Sequence, residues 1–363
     1  LLMTACDDDN ATANYSVPLD EAVGSYTGDK LQINVGGQSV LLLSGETAQI
    51  SGSDANQLTI SIPDYAVPGE TGLTFTDVKM TTPLFNVFEG TSSNASRDIT
   101  LSGELRDGRL TLNLTPTYKS DIIGVWNLNL ETDDFGTATL TPISIETEQD
   151  ISGSQFIVQI LGALLKGSMA VVNIDFQADG NLTATYNSNL LNDMMPALSG
   201  EQISPVFVHS PLNAIKWYVK DGALYLVPNL NLMLKNDPSK AQLGPLDPGT
   251  ITTVGIPLYF KKEGDKMTVY VSKEQTAPVF GLLSTVISMI DPSFELSLGG
   301  SSLPLRSLLE ALVKPLIDAA LAAERFDLCL NLVAGAIPEE APQTSEEASA
   351  AAVKRLEAFI AQQ

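Results

Sequence analysis

At 363 residues the chain exceeds what one ordinary hydrophobic core organises, so two domains are expected. Hydrophobic residues make up 44% of it, which rules out disorder over the whole length. The net charge of −23, from 43 acidic and 20 basic side chains, argues against a nucleic-acid partner and against a body lying flat on an anionic bilayer. Such acidity is read as a solubility device rather than a binding function.

The chain opens with Leu1-Leu2-Met3-Thr4-Ala5-Cys6, an apolar run ending in a small residue and a cysteine, followed at once by Asp7-Asp8-Asp9-Asn10. This resembles the tail of a bacterial lipoprotein signal peptide, in which the cysteine is lipidated and becomes the mature N-terminus. The acidic run after the cysteine looks like the export signal of surface lipoproteins in Bacteroidetes. The resemblance implies that Leu1 to Ala5 are removed and that Cys6 is the lipid-attachment residue. It further implies a location at the bacterial outer membrane, exposed on the cell surface and held by acyl chains, each buried CH₂ adding ~0.8 kcal/mol. Residues 1–14 are then signal-peptide tail and tether. The alternative is a frayed first strand with a buried thiol, beside which a triple Asp is poorly placed.

Residues 15–120 read as an all-β domain. Lys30 to Val35, Gln57 to Ile62 and Leu73 to Val78 alternate polar with apolar, the period of half-buried strands. Ile99 to Leu105 returns through Asp107-Gly108 as Leu110 to Leu114, a hairpin whose Asp-Gly suits a type I′ turn. Pro116 closes the block, and a boundary is placed near Ser120. Ser25-Tyr26-Thr27-Gly28 and Gly124-Val125-Trp126 each put an aromatic and a glycine at the head of a strand series.

Residues 121–300 read as a β-hairpin domain with inserted helices. Strands are expected over Trp126 to Leu130 and Thr137 to Ile145. Hairpins are expected at Ala170 to Tyr186 through Asp179-Gly180, at Lys216 to Val227 through Asp221-Gly222, and at Pro257 to Val271 through Gly264-Asp265. Helices are expected over Gln155 to Lys166, the Met-rich Leu190 to Leu198, and Val279 to Ile290. Residues 301–363 read as C-terminal helices packed on the second domain: the stripe Leu305, Leu308, Leu309, Leu312, Leu316, Leu321, then an acidic linker, then a last helix capped by Thr344 with Glu347. The fold class is α+β, mainly β: antiparallel hairpin-built barrel or sheet domains followed by packed apolar helices. No apolar run reaches the ~20 residues of a membrane-spanning helix.

The hairpin series behind a lipoprotein head is similar to Bacteroidetes lipoproteins with calycin-like β-barrel domains, a group largely without assigned function. That resemblance implies no catalytic residues.

Catalytic chemistry finds little support in the residues. His209, the single histidine, sits before Ser210-Pro211 and reads as a loop histidine rather than a general base. There is no Gly-x-Ser-x-Gly elbow and no phosphate loop. One histidine and one spare cysteine cannot build the usual zinc tetrahedron, so no metal and no cofactor are expected. Asp7 to Asp9 lack a calcium loop around them. Cys329 lies among apolar neighbours and reads as a buried, inert thiol; a Cys6–Cys329 disulfide would contradict the anchor. The carboxylate pairs Asp133-Asp134 and Glu146/Glu148 are the material a hydrolase would use. Trp126, Trp217, Tyr218, Tyr225 and Tyr259 are the candidates for stacking on sugars, although aromatics at alternate strand positions are more often core. Met194-Met195 and the apolar helices are candidates for the wall of a greasy pocket.

The expectation is a non-enzymatic, surface-anchored lipoprotein binding an apolar or amphipathic small ligand. The alternatives are a glycan-binding or adhesin-type surface protein and a carboxylate-pair hydrolase. Expected partners are the membrane, through the lipid anchor, and an apolar small molecule or a glycan, with no nucleic acid.

Overall fold

The computed structural model describes residues 18–40, 42, 45–81, 86–129, 142–147, 171–189, 205–229, 253–273, 295–298, 301–304, 306–307, 310 and 323–335. The chain divides into two compact units, Leu1–Lys119 and Ser120–Gln363.

The first unit follows a short helix α1 (Leu19–Ala22) with strands β1 (Gly24–Thr27), β2 (Leu31–Val35), β3 (Gln38–Ser39), β4 (Thr47–Ser51) and β5 (Leu58–Ser61). Four more complete it: β6 (Thr74–Thr81), β7 (Asn86–Ser93), β8 (Arg97–Arg106) and β9 (Arg109–Tyr118). They form one nine-stranded sheet in the order β1-β4-β5-β6-β7-β8-β9-β2-β3. β1 lies at one end of that order and β2 near the other, yet only the 3₁₀ turn Gly28–Lys30 separates them in sequence. A link that short requires the sheet to curl until its ends meet. A bulge helps it bend: β5 and β6 pair Leu58 with Val78 but Ile60 with Phe75, and Asp77 takes a positive φ of 54°.

Alternation then decides the faces. Ile33, Ile50, Ile60, Phe75, Phe88 and Leu112 all point inward and are fully buried, 0% exposed. Each stabilises the unit by about 1.5–3 kcal/mol. Between them the strands carry Thr100, Ser102, Asn113 and Thr115 outward, all exposed. The expected hairpin is β8–β9, with Arg106 opposite Arg109 and both turn residues at positive φ, Asp107 at 51° and Gly108 at 73°.

The second unit contains β10 (Gly124–Leu128), β11 (Ile143–Thr147), β12 (Val171–Phe176), β13 (Asn181–Asn187), β14 (Phe207–His209), β15 (Ile215–Lys220) and β16 (Ala223–Pro228). It continues with β17 (Ile256–Glu263), β18 (Lys266–Val271), β19 (Glu295–Leu298), β20 (Ser301–Pro304) and β21 (Phe326–Ala334). Eight of these run β10-β12-β13-β15-β16-β17-β18-β21, and β21 pairs back to β10, so the sheet closes into an eight-stranded antiparallel barrel. β14 shares the edge of β13 with β15, and β11 shares the edge of β21 with β10. β19 and β20 pair with each other as a separate two-stranded sheet among the described residues.

Three expected hairpins are present as β12–β13, β15–β16 and β17–β18. The packed apolar helices are not supported. Within 301–363, where helices were expected, Phe326–Ala334 is instead the strand that closes the barrel. The helices expected over 155–166, 190–198 and 279–290, the last helix near 344–360, and nearly all of the stripe from Leu305 to Leu321 lie outside the described residues.

Candidate functional site

The barrel interior of the second unit is traced by its register. Directly paired residues of an antiparallel ladder point to the same face. Trp126 pairs Ile174, Ile174 pairs Ala184, Leu182 pairs Ile215, Trp217 pairs Leu226, and Leu224 pairs Leu258. Val269 then pairs Leu330, and Leu332 pairs Leu128, two residues from Trp126. The circuit returns to its starting face without a break, and that face is almost entirely hydrocarbon and indole.

One end of the interior is sealed. Phe176 and Trp217 meet edge to face across β13, ring centroids 5.4 Å apart at 82°. Both indoles find carbonyl partners. Trp126 Nε1 donates to Ile122 O at 2.7 Å, and Trp217 Nε1 donates to Gln177 O and Asn181 O, both at 3.1 Å. Leu224, Met267 and Leu332 complete this floor at 1% exposure each. The tight turns of β12–β13, β15–β16 and β17–β18 all fall at this end. Lys262, which the register turns inward here, pairs with Asp121 at 3.9 Å.

The rest of the inward face is mixed. Ile174, Leu182, Ala184, Leu226, Leu258 and Leu330 face inward and are half-buried, while Leu128, Val269, Val271 and Phe326 on the same face are buried. Tyr186, on the same face near the far end of β13, is 36% exposed. The long connections β10–β12, β13–β14, β16–β17 and β18–β21 all leave from this far end. Among the described residues no acidic side chain lines the wall above the floor. An eight-stranded barrel is just wide enough to be filled by its own side chains or to hold one small ligand.

Several sequence candidates fall elsewhere. Trp126 and Trp217, considered for sugar stacking, are buried at 4% and 0% and build the floor. Tyr218 is buried at 3% on the outer face, stacked on Tyr225 at 4.8 Å, with its hydroxyl donating to Val254 O. Tyr259 stays 39% exposed beside Tyr270. His209 is the end of strand β14 rather than a loop residue; its Nδ1 lies 2.9 Å from Thr185 Oγ1 on the strand it pairs with. Glu146 is held by Arg325 Nη2 at 3.1 Å and Lys261 Nζ at 3.6 Å, the surroundings of a structural ion pair. Cys6, Asp7 to Asp9, Asp133, Asp134, Glu148, Met194 and Met195 lie outside the described residues. No group of three or more metal-ligating side chains occurs among the described residues, and no helix there is long and apolar enough to cross a membrane.

The first unit has two open clefts, of about 560 and 540 Å³, flanking the kinked strand β1–β2. Their walls mix turn residues with charged side chains, Lys30, Arg106 and Asp107 in the first and Asp29 and Arg109 in the second. The sequence analysis missed Phe176, Met267 and Leu332. Their alternation marks them as inward, but only closure of the barrel gathers them onto one floor.

No family model, no curated protein and no solved structure matches the chain.

Proposed function

We propose that this is a non-catalytic binding protein, tethered to a bacterial cell surface through a lipidated Cys6, that takes an apolar or amphipathic small molecule into the barrel of its second unit. The observation that carries the reading is a closed barrel whose inward face is almost entirely hydrocarbon and indole, on which Ile174, Ala184, Leu226, Leu258 and Leu330 remain half-buried beside the buried Phe176, Trp126 and Trp217. Aliphatic surface left accessible inside a closed barrel gains about 25 cal/mol per Å² when a ligand covers it. The acidic body and the resemblance of residues 1–10 to a lipoprotein head support the location.

Native mass spectrometry of the protein purified from its own host tests the binding reading. A co-purified small molecule that is lost on mild organic extraction, with a fall in melting temperature, is the expected result. An extracted protein with unchanged mass and melting temperature, which also fails to enhance an apolar fluorescent probe, overturns it. Metabolic labelling with an alkyne fatty acid tests the tether: label should appear on the wild type and vanish in Cys6→Ser. The glycan alternative keeps exposed Tyr259 as its support, and retention on polysaccharide gels that is lost in Tyr259→Ala would favour it.

A further inference from the structure

We infer that the first unit carries a peptide-binding edge, independent of the ligand proposed for the second unit. The free edge of β1 takes an extended, basic segment of a partner protein as an added strand, seated in the cleft between β1 and the tip of the β8–β9 hairpin.

β1 ends the nine-stranded sheet, and β4 is its single partner among the described strands. The strand that follows it is placed differently: β2 is paired on both edges, by β9 and by β3. The register explains the contrast. β2 runs parallel to β9 with Leu31 opposite Leu110, so the neighbour of β1 on that side would be chain preceding Arg109. There β9 has already given way to the Asp107–Gly108 turn. An antiparallel ladder uses the N–H and C=O of alternate residues, so half of those on β1 turn away from β4 to the uncovered edge. Ser25 and Thr27 are exposed, and a Cβ added at Gly24 would meet nothing within 4 Å. Gly24-Ser25-Tyr26-Thr27 also lacks the lysine, proline or bulge that blunts an edge against pairing. β3, at the other end of the sheet, is two residues long, and shortness alone protects it.

The edge opens on the first of the two clefts, about 560 Å³, within the size range of ligand pockets. It is lined by Gly24 to Tyr26 of β1 and by Leu105 to Gly108 at the hairpin tip. Length and charge choose the occupant. Four strand residues span about 13 Å, the length of a short linear segment. The lining charges balance, Glu21 and Asp107 against Lys30 and Arg106, so the field of the whole chain decides the sign. A net charge of −23 repels a second copy of this chain and an acidic peptide alike, and draws a basic one. Side chains of an added strand alternate between the face of Tyr26 and solvent, so the fitting segment alternates apolar with basic residues.

The test uses the full chain and the capped peptide Lys-Val-Lys-Val-Lys, followed by hydrogen-exchange mass spectrometry. The peptide should slow exchange at Gly24 to Thr27, and a twin with glutamate in place of lysine should not. N-methylation of both valines in one peptide, and of the central lysine in another, should abolish binding in one case and spare it in the other, because an added strand donates to its neighbour from alternate residues only. Gly24→Phe, which fills the cleft, should lose the protection. Ser25→Lys, at an exposed position, should lose it too, and circular dichroism confirms folding of each. No protection of β1 by the basic peptide, or equal effects of the two methylation patterns, overturns strand addition. Equal binding of the acidic twin overturns the charge assignment. Dimerisation of the chain itself through β1, seen as a concentration-dependent mass that the peptide dissolves, overturns the choice of occupant.

Discussion

Cys329 lies on the outer face of β21, between Tyr270 and Ser144 in the register, yet is only 2% exposed. Lys261 explains part of this: its Nζ lies 5.1 Å from the Tyr270 ring centre and reaches Glu146 of β11, which Arg325 also holds. Burial, and then Glu146, push the thiol up to about 11. The folded protein should therefore resist a thiol reagent at pH 8 and react only on unfolding. Glu146→Ala removes both the cover and the nearby negative charge. It should speed labelling relative to the wild type, because removing the charge lets the thiolate form more readily. Lys216 shows the opposite shift. Its Nζ is buried with no hydrogen-bond partner among the described residues, and burial pushes its pKa down, offset in part by Asp179. The folded state therefore binds this proton less tightly than the unfolded chain. The residue costs stability at neutral pH, and the cost fades as pH rises towards the ordinary lysine value. Lys216→Met should raise the melting temperature at pH 7, and by less at pH 10; an equal or larger gain at pH 10 contradicts the assignment.

At the level of elements, the two head strands are anchored by the same device. Tyr26 Oη donates to Ala22 O at 2.7 Å in the first unit, and Trp126 Nε1 donates to Ile122 O at 2.7 Å in the second. In each case the aromatic reaches back four residues and fixes the angle at which the chain enters its sheet. Tyr26→Phe keeps the ring and removes the bond, so urea unfolding of the first unit should show a loss of about 1 kcal/mol. A stronger clip ties the 63–72 connection to the β7–β8 hairpin. Arg97 donates Nε to Glu70 Oε1 at 2.8 Å and Nη2 to Oε2 at 2.7 Å, and its Nη1 bonds Ser92 O. Arg97 is buried, so Glu70→Ala strands a guanidinium away from water and should cost about 3 kcal/mol. Replacing both residues by apolar ones should recover much of that loss.

At the level of the whole molecule, closure rests on the last described strand. β21 pairs with β18 on one edge and with β10 and β11 on the other. A proline at Leu330, whose position is paired in the ladder on both edges, should open the barrel. Unfolding of the second unit should then lose cooperativity while the first unit melts unchanged, since the first unit has its own complete core. The pairing of Trp126 with Ala334 joins residues about two hundred positions apart, which makes the barrel slow to close by comparison with the local β8–β9 hairpin.

The hairpins were legible in the sequence because each is a local event: alternation of period two, with Asp-Gly, Gly-Asp or a similar pair where φ must turn positive. Polarity out and hydrocarbon in followed from the same alternation, as Leu110, Leu112 and Leu114 against Thr111, Asn113 and Thr115 show. The strand Phe326–Ala334 carries the same alternation, Phe326, Leu328, Leu330 and Leu332 against Asp327, Cys329 and Asn331, but nothing local says that it pairs with β18, β10 and β11. Nor could the floor be read, because Trp126, Phe176, Trp217 and Leu332 share no spacing and meet only when the sheet closes. The sequence by itself determined the local turns and the inward faces, since those depend on neighbours a few residues apart. Which strand completes the ring was decided by tertiary structure, because the circumference is a property of the closed sheet and of no segment within it.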